Sequence, residues 1–477
     1  MKKKNLICAL LLCTASSAFS QTSVMEQAFQ RADSIVNAIR KTQFKDVTYN
    51  ICDFGAVANN NKVYNHEAIN LAILTASQNG GGTVLVPAGD FYTGPITLKS
   101  NVNLHIAKGA TLKFITDQSY YFPAVLTRWE GLDCYNAHPL IYAYGETNIA
   151  ITGEGVIDGQ GSDNDWWWMK GKKEHGYKAG MPSQKEGRDR LLMYAETQTP
   201  IDRRVMKPED YLRPQLINIY RCNTVKIEGV TLKDSPFWVI HPLFVTDLIV
   251  RNVTIDGLGP NGDGCDPESC KNVLIEGCKF NTGDDCIAIK SGRNADGRKW
   301  NVPSENFIIR NCEMKNGHGG VVIGSEISGG YRNLYVENCV MDSPELERVV
   351  RIKTNTCRGG ILENIFVRNI TVGQCQEAVM RINTDYEQNE KCDRSFPPVV
   401  RNVNLENITC QKSDYGILIN GLSQDENVYD VTVRNCTFNN VQKEGKNNTG
   451  LTRNIKIENV TVNGKVLKEE KKKKAKK

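Results

Sequence analysis

The chain alternates apolar and polar residues in short runs, a pattern typical of half-buried β-strands. From Asn101 onward each run is followed by Asn or Gly, by a second short run and by a loop of variable length. Such runs align at 225–232, 249–255, 274–280, 308–314, 335–341, 366–372, 404–410, 432–438 and 456–462. Because the repeat contains no helix, this self-similarity predicts an all-β fold, a right-handed parallel β-helix.

Two amphipathic segments precede the repeats. Apolar residues such as Met25 and Phe29 recur at helical spacing over 24–41 and predict a helix. A second helix is expected at His66–Gln78, since a Gly-rich stop signal follows it, and this helix would cap the open end of the solenoid. We therefore divide the chain into a helical segment at 21–45, a β-helix at 46–464 and a tail at 465–477.

The two ends of the chain differ from the repeats. Three lysines precede an apolar run at 6–12, and a small-x-small site ends at Ser20, which indicates a secretory signal peptide at 1–20. No apolar stretch is long enough to span a bilayer, so we expect an exported protein, periplasmic or secreted. Cys13 leaves lipidation as an alternative, although a leucine stands before it where a small residue is required. The lysine-rich tail is expected to be disordered.

Charge narrows the choice of partner. The formal net charge is +5, but the signal peptide holds three lysines and the tail a net +6, so the folded body carries −4. A body of this charge argues against nucleic acid as a partner, and a polyanionic substrate would need a few well-placed cations. We expect a monomer.

The cysteines divide into two sets. Where the repeats align, one column holds Val, Ile or Cys interchangeably, so its cysteines are expected to be free thiols in the core. These are Cys278, Cys312, Cys339 and Cys436. Others lie in turns or other strands and cannot be paired from the sequence, namely Cys265, Cys270, Cys286, Cys357, Cys375 and Cys392. None has the spacing of a zinc site beside histidines.

The longest insertion between repeats, 166–214, is polar and begins with three tryptophans. In a solenoid, long loops gather on one side and form a cleft, and this insertion would supply one of its walls. The tryptophans fit two interpretations, a stacking surface for sugar rings or a packed lid.

Three carboxylates stand one repeat apart, Asp263 in one Gly-flanked turn and Asp284 with Asp285 in the next. If the rungs stack, the three become neighbours and raise one another's pKa, so that one stays protonated while another is ionised. Hydrolysis of a glycosidic bond requires such an acid and such a base. The alternative is that Asp and Gly merely form good turns.

The following rungs add polar residues at the same place. His318 stands between glycines and would be a proton-network partner for the acids. Arg351 and Lys353, two residues apart on a strand, project together and would bind a carboxylate.

These motifs resemble glycoside hydrolase family 28, the polygalacturonases. The resemblance is carried, in order, by NGDGCDPES, GDDCIAIKSGR, GHGGVVIGSE and RIKTN, and it covers most of the chain from about Val47. One departure is Gly262, where the family usually has Thr. The stretches at 291–298 and 325–330 look like the bacterial exo-acting branch, in which added loops close one end of the cleft.

The resemblance implies a role for each matched residue. Asp284 would be the general acid, and Asp263 and Asp285 would hold and deprotonate the attacking water. His318 would support the protonation of the acid. The remaining matches are to substrate-binding residues, Arg351 and Lys353 for a galacturonate carboxylate and Arg293 and Glu326 at the closed end.

The implied reaction is hydrolysis of α-1,4-linked galacturonic acid in pectic polysaccharide or oligogalacturonide, with inversion and from the non-reducing end. An inverting enzyme is expected to hold acid and base about 6.5–9.5 Å apart. No metal or other cofactor is implied. Alternatives are a hydrolase of rhamnogalacturonan or branched pectin, a calcium-dependent pectate lyase, and a non-catalytic glycan-binding solenoid.

Overall fold

The computed structural model describes residues 23–443 and 445–467, most of them in short parallel strands that stack into a β-helix. The predicted signal peptide and residues 468–477 of the predicted tail lie outside the described residues. The last strand, Lys465–Val466, pairs antiparallel with Thr452–Val462 and so takes up the first two residues of that tail.

The strands form three faces, each with at most one strand per rung. In the rung of Asp263, isolated bridges at Cys265 and Glu268 take the place of a strand on the third face. The first face comprises Thr48–Asn50, Gly82–Val86, Val102–Ile106, Thr147–Gly153, Asn223–Glu228, Thr246–Arg251, Lys271–Glu276, Ser304–Arg310, Tyr331–Glu337, Ile361–Val372, Val399–Cys410, Val428–Phe438 and Thr452–Val462. The second comprises Gly89–Thr93, Ala110–Phe114, Val156–Asp158, Thr231–Lys233, Thr254–Gly257, Lys279–Thr282, Glu313–Met314 and Val340–Met341, and is continued by the second halves of the long strands. The third comprises Ile96–Thr97, Ile141–Tyr144, Ile217–Tyr220, Ile240–Leu243, Ile287–Ile289, Val321–Gly324, Arg348–Lys353, Ala378–Asn383, Tyr415–Asn420 and Lys446–Thr449.

The Asn or Gly of each repeat forms the corner between the first two faces. These residues adopt the left-handed conformation, as in Asn252 (φ 52°), Gly277 (φ 66°) and Asn311 (φ 56°). Gly and Asn are the residues that tolerate this backbone, which explains why the repeat alternates between them. Asn amides also bond from rung to rung, for example Asn369 Nδ2 to Asn338 Oδ1 at 3.3 Å.

The interior of the solenoid is filled by apolar columns that run through every rung, and the predicted cysteine column belongs to them. Cys278, Cys312, Cys339 and Cys436 are buried free thiols, as predicted. Among the unassigned cysteines, Cys357 and Cys392 form a disulfide. It ties the loop at 384–398 to the neighbouring rung.

The described part of the chain has four α-helices, and they lie around the solenoid. The helix at His66–Gln78 has the predicted bounds and buries Ile69, Ile73 and two alanines against the first rungs, so it caps that end. Val24–Ala38 ends three residues before the predicted 41, because Ile39 turns to extended backbone, and it packs on the outer side of the first face. Lys185–Glu196 lies in the long insertion, and Asn294–Trp300 follows the third face. No helix in the described ranges has the length and apolar character needed to cross a membrane.

Candidate active site

The residues singled out in the sequence meet at one edge of the solenoid, between the second and third faces. Asp263 follows Thr254–Gly257, the two adjacent aspartates follow Lys279–Thr282, and His318 follows Glu313–Met314. Arg351 and Lys353 lie on the third face in Arg348–Lys353. We call these six residues on four successive rungs the catalytic corner, consisting of Asp263, Asp284, Asp285, His318, Arg351 and Lys353.

The three aspartates lie very close together. Each offers an oxygen within 4.8 Å of the other two, and Asp285 is fully buried. The expected separation of about 6.5–9.5 Å is wrong for the nearest oxygens. Stacked strands lie about 4.8 Å apart, and carboxylates at equivalent corners of adjacent rungs inherit that spacing. Three such oxygens could also surround a divalent cation.

Within the corner, the predicted carboxylate-binding pair contacts Asp285. Lys353 Nζ lies 2.6 Å from Asp285 Oδ2, and Arg351 Nη1 lies 3.3 Å from Asp285 Oδ1. Gly319 passes between them, and a Cβ at this position would come 3.2 Å from Asp285 Oδ1 and 2.5 Å from a Val322 methyl. The glycine of the GHG motif therefore lets the acid and the cations meet across one rung.

His318 is bonded to Asp284. Its Nδ1 lies 2.9 Å from Asp284 Oδ1, at the more exposed end of the corner. The hydrogen bond and charge of Asp284 raise the pKa of His318 to about 9. Burial opposes ionisation of Asp284, but the bond and charge of His318, with Lys353 and Arg351, outweigh it, so the pKa of Asp284 lies well below its usual range. The pair therefore holds one proton through neutral pH, on the imidazole in the unliganded site.

Asp263 has the opposite electrostatic balance. Burial and then the charge of Asp284 raise the pKa of Asp263 to about 8, against the opposing charge of Lys290. Lys290 Nζ lies 3.8 Å from Asp263, 3.3 Å from Asp266 and 3.2 Å from Glu326, and it stands 4.5 Å from the centre of the Trp238 ring. One buried cation is thus shared among three carboxylates, too few charges to ionise them all.

Gly262, the departure from the family pattern, has a local cause. A Cβ at this position would lie 2.7 Å from the carbonyl oxygen of Gly259. The turn that carries Asp263 is therefore too tight for the Thr of the family, while Asp263 itself still reaches the corner.

Arg293 and Glu326, the substrate-binding residues predicted for the closed end, lie side by side at the far end of the cleft. Arg293 is 2% exposed, and its guanidinium is surrounded by carboxylates. The distances are 2.9 Å to Glu390, 3.3 Å to Glu130, 3.6 Å to Glu326 and 3.7 Å to Glu387. The structure brings both candidates to the cleft but leaves the charge of Arg293 fully compensated.

Several segments outside the repeats close this end, and together we call them the closing wall. They are the insertion at 166–214, the hairpin of Val125–Trp129 and Leu132–Asn136, the segment from Arg293 through Asn294–Trp300, and the loop at 384–398. The wall and the catalytic corner enclose a cleft of about 450 Å³, and a second cavity of about 880 Å³ lies beyond Arg188, Arg293 and Glu387.

Buried ion pairs hold the closing wall together. Arg128 bonds Asp133 at 2.9 Å within the hairpin and reaches Glu268 of the solenoid at 2.8 Å. Arg204 of the insertion bonds Asp296 at 2.5 Å. All five of these side chains are almost completely buried, so loss of one partner would leave an uncompensated charge inside the protein.

The tryptophan triplet is packed rather than open. Trp166 is buried against Tyr121 with ring centres 5.5 Å apart, and Trp168 packs on Tyr211 at 5.6 Å. Trp167 donates its indole N–H to the Ser235 carbonyl at 3.0 Å. Of the two interpretations left open, the packed one is correct.

Sequence reasoning missed several residues that line the cleft. These are Glu130, Lys170, Arg188, Trp238, Asn261, Lys290, Tyr386 and Glu387. Lys290 and Asn261 lie inside the quoted motifs, so the strand period could have placed them. Lys170, Arg188 and Glu130 come from segments without a repeat, and the sequence carries no signal of their position.

Comparison with known proteins agrees with this geometry. The family model "Glycosyl hydrolases family 28" matches residues 206–420. The crystal structure of a hyperthermoactive exopolygalacturonase from Thermotoga maritima is 42% identical, covers 92% of this chain and 97% of its own, and superposes with a TM-score of 0.88.

Curated relatives are more distant but span much of the chain. A probable polygalacturonase of Vitis vinifera is 28% identical over 79% of this chain and 71% of its own length. An exo-poly-alpha-D-galacturonosidase of Dickeya chrysanthemi is 25% identical over 76% of this chain and 62% of its own length.

Proposed function

The chain belongs to glycosyl hydrolase family 28, and from that premise we propose that it removes galacturonic acid from the non-reducing end of α-1,4-linked galacturonan. The observation that carries the proposal is a corner of three carboxylates at the closed end of a cleft. A cleft with one end closed admits a chain terminus and leaves room for few sugar residues beyond the scissile bond.

In the proposed reaction Asp284 protonates the leaving glycosidic oxygen, with His318 as its proton source. The pair holds one proton, as the neutral acid and imidazole or as carboxylate and imidazolium. Because burial disfavours the charged forms, a substrate that displaces water from the cleft shifts this proton from the imidazole to Asp284. The acid is thereby formed where the leaving oxygen arrives.

Asp285 and Asp263 hold the attacking water, and Asp285 takes its proton. Asp285 is the carboxylate of the corner that contacts two cations, Lys353 at 2.6 Å and Arg351 at 3.3 Å, and these contacts hold it in place to accept the proton. Asp263, with its raised pKa, positions the water through a hydrogen bond. Arg351 and Lys353 each keep further N–H donors beyond those that face Asp285, and these bind the substrate carboxylate before the proton moves.

Arg293 and Glu326 belong to the closed end, where we propose that they shape the pocket for the terminal sugar. Their charges are satisfied by Lys290 and by the glutamates of the closing wall. Arg293 and Glu326 themselves therefore contribute shape and hydroxyl hydrogen bonds rather than net charge.

Digestion of a defined oligogalacturonide tests the proposal. We expect galacturonate monomer as the only early product, reducing sugar without ultraviolet absorbance, and the same rate with and without a chelator. A ladder of oligomers would indicate endo action, and no cleavage would point to a rhamnose-bearing or branched substrate.

A calcium-dependent lyase is the second candidate, because the three aspartate oxygens lie close enough to hold a cation. An unsaturated, ultraviolet-absorbing product that disappears with chelator would establish it in place of hydrolysis. A glycan-binding solenoid without activity would release no product from any galacturonan.

We further propose that the protein is exported and acts on pectic polymers outside the cytoplasm. The signal peptide pattern at 1–20 supports this. Mass spectrometry of the mature protein is expected to find Gln21 as the first residue, and an intact Met1 would contradict export by this route.

A further inference from the structure

Lys170 stands at the end of a short turn, Trp167–Lys170, that the tryptophan triplet fixes rigidly in the closing wall. The glycines facing Trp167 show how closely this turn is seated. A Cβ at Gly161 or Gly259 would come within 2.5 Å or 2.4 Å of the Trp167 indole nitrogen. Gln184 also binds the backbone of Met169 at 2.8 Å. The packing holds the backbone of Lys170 at the edge of the cleft.

The ammonium of Lys170 is directed towards the catalytic corner. Its Nζ donates to Asn261 Oδ1 at 2.7 Å, two residues before Asp263, and the same oxygen accepts from Arg213 at 2.9 Å. The charges that act on Lys170 are those of Glu130, Arg213, Asp284 and Arg188. Burial lowers the pKa of Lys170. An ammonium has three donors, and the bond to Asn261 uses one of them.

Lys170 differs from its neighbours in charge balance. Every other cationic side chain lining the cleft forms an ion pair with a carboxylate of the described residues. These are Lys185, Arg188, Lys290, Arg293, His318 and Lys353. Within the described ranges Lys170 has no carboxylate within ion-pair distance, so this half-buried cation is available to pair with a carboxylate of the substrate.

We infer that Lys170 binds the carboxylate of the galacturonate seated at the closed end of the cleft. This inference rests on the proposed function and extends it. Arg351 and Lys353 stand on the solenoid side of the corner, and Lys170 stands on the wall side, so each would hold the carboxylate of a different sugar. Two acidic sugars flanking the scissile bond mean an unesterified homogalacturonan rather than a polymer that alternates galacturonate with rhamnose.

The test compares trigalacturonate with the same trimer carrying a methyl ester on its non-reducing-end carboxyl. For the wild type we expect the ester to raise KM by about tenfold to a hundredfold, the worth of one charge-assisted hydrogen bond. Lys170→Met is expected to raise KM for the free acid by a similar factor, with a smaller change in kcat, and to lose the discrimination between acid and ester. Lys170→Arg keeps the charge and should retain most of the discrimination between acid and ester.

Lys172→Met is the matched control. Lys172 comes from the same insertion but is exposed, lies 3.9 Å from Glu174 and does not line the cleft, so we expect no change in KM. Titration of trigalacturonate into Asp284→Asn, with and without Lys170→Met, measures the same contact without turnover, so inactivity of the wild type would count against the proposed function alone. The inference is overturned if Lys170→Met weakens acid and ester equally, or weakens neither while the protein remains folded by circular dichroism.

Discussion

The catalytic corner and the closing wall are built by different means from the same chain. The six corner residues lie on four successive rungs, in the turns before the third face or on that face itself, and the stacking of strands brings them together. The closing wall gathers a hairpin, an insertion and two loops that share no repeat, and buried ion pairs join them. Repetition determines distances in the corner, whereas individual pairs of charges determine them in the wall. Chemistry is therefore expected to depend on the corner, and chain-end selectivity on the wall.

Removing the proposed acid should have the largest effect. Asp284→Asn keeps the shape of the side chain but cannot supply a proton, and we expect kcat to fall by about 10⁴-fold or more, with trigalacturonate binding retained. Initial rates and isothermal titration measure the two quantities. A variant with more than a tenth of wild-type kcat would exclude Asp284 as the acid.

Breaking the wall should cost stability and change the products. Arg293→Met removes the buried cation that four glutamates share, while Arg188 still pairs with Glu130 and Arg358 with Glu390, and we expect a loss of about 3 kcal/mol in the free energy of unfolding. The two cavities on either side of Arg293 would then join, so di- and trigalacturonate should appear among the products. Chemical denaturation and chromatography follow these effects. Monomer as the sole product from this variant would mean that other parts of the wall determine exo action.

The raised pKa of Asp263 should make the free energy of unfolding depend on pH. Since the folded pKa of Asp263, about 8, exceeds the ordinary 3.8, the folded protein binds more protons than the unfolded chain between these values. The contribution of Asp263 to the free energy of unfolding therefore falls as pH rises from about 4 to 8. The raised pKa of His318 extends this fall to about pH 9.

Asp263→Asn should remove the first part of this slope and stabilise the protein at pH 8 by on the order of 2 kcal/mol. Melting temperatures from pH 4 to 9 measure it. If the slopes of variant and wild type coincide, Asp263 does not carry the proton.

Breaking a partly exposed ion pair outside both the corner and the wall should have the smallest effect on stability. Arg251 bonds Glu276 at 2.9 Å on the outer side of the first face, with about a third of its side chain exposed. Arg251→Met should cost less than about 1 kcal/mol and leave kcat and the products unchanged. A loss as large as that of Arg293→Met would show that burial is not what distinguishes the wall.

The residues of the catalytic corner could be predicted from the sequence, whereas those of the closing wall could not. The repeat placed Asp263 beside Asp284 because strand stacking turns sequence spacing into distance. His318 and Arg351 followed by the same rule. The expected separation of acid and base was wrong for the nearest oxygens, because the proposed acid Asp284 and the proposed base Asp285 are neighbours in one turn and Asp263 lies on the adjacent rung.

The contacts within the closing wall could not be predicted from the repeat. Glu130 and Glu390 meet Arg293 across 163 and 97 residues with no period to connect them. The pairing of Cys357 with Cys392 depends in the same way on where one loop lies. Only the existence of a wall could be expected from the length of the insertion, and its residues could not.

Proton NMR of the first product formed by the wild-type enzyme tests the central claim most directly. The close carboxylates would suit either stereochemical course, whereas the proposed water between Asp263 and Asp285 would attack the face opposite the leaving group. We predict that α-linked trigalacturonate releases the β-anomer of galacturonate first, with the α-anomer appearing only by mutarotation. Release of the α-anomer first would mean that an aspartate attacks the sugar, and the assigned roles would be wrong.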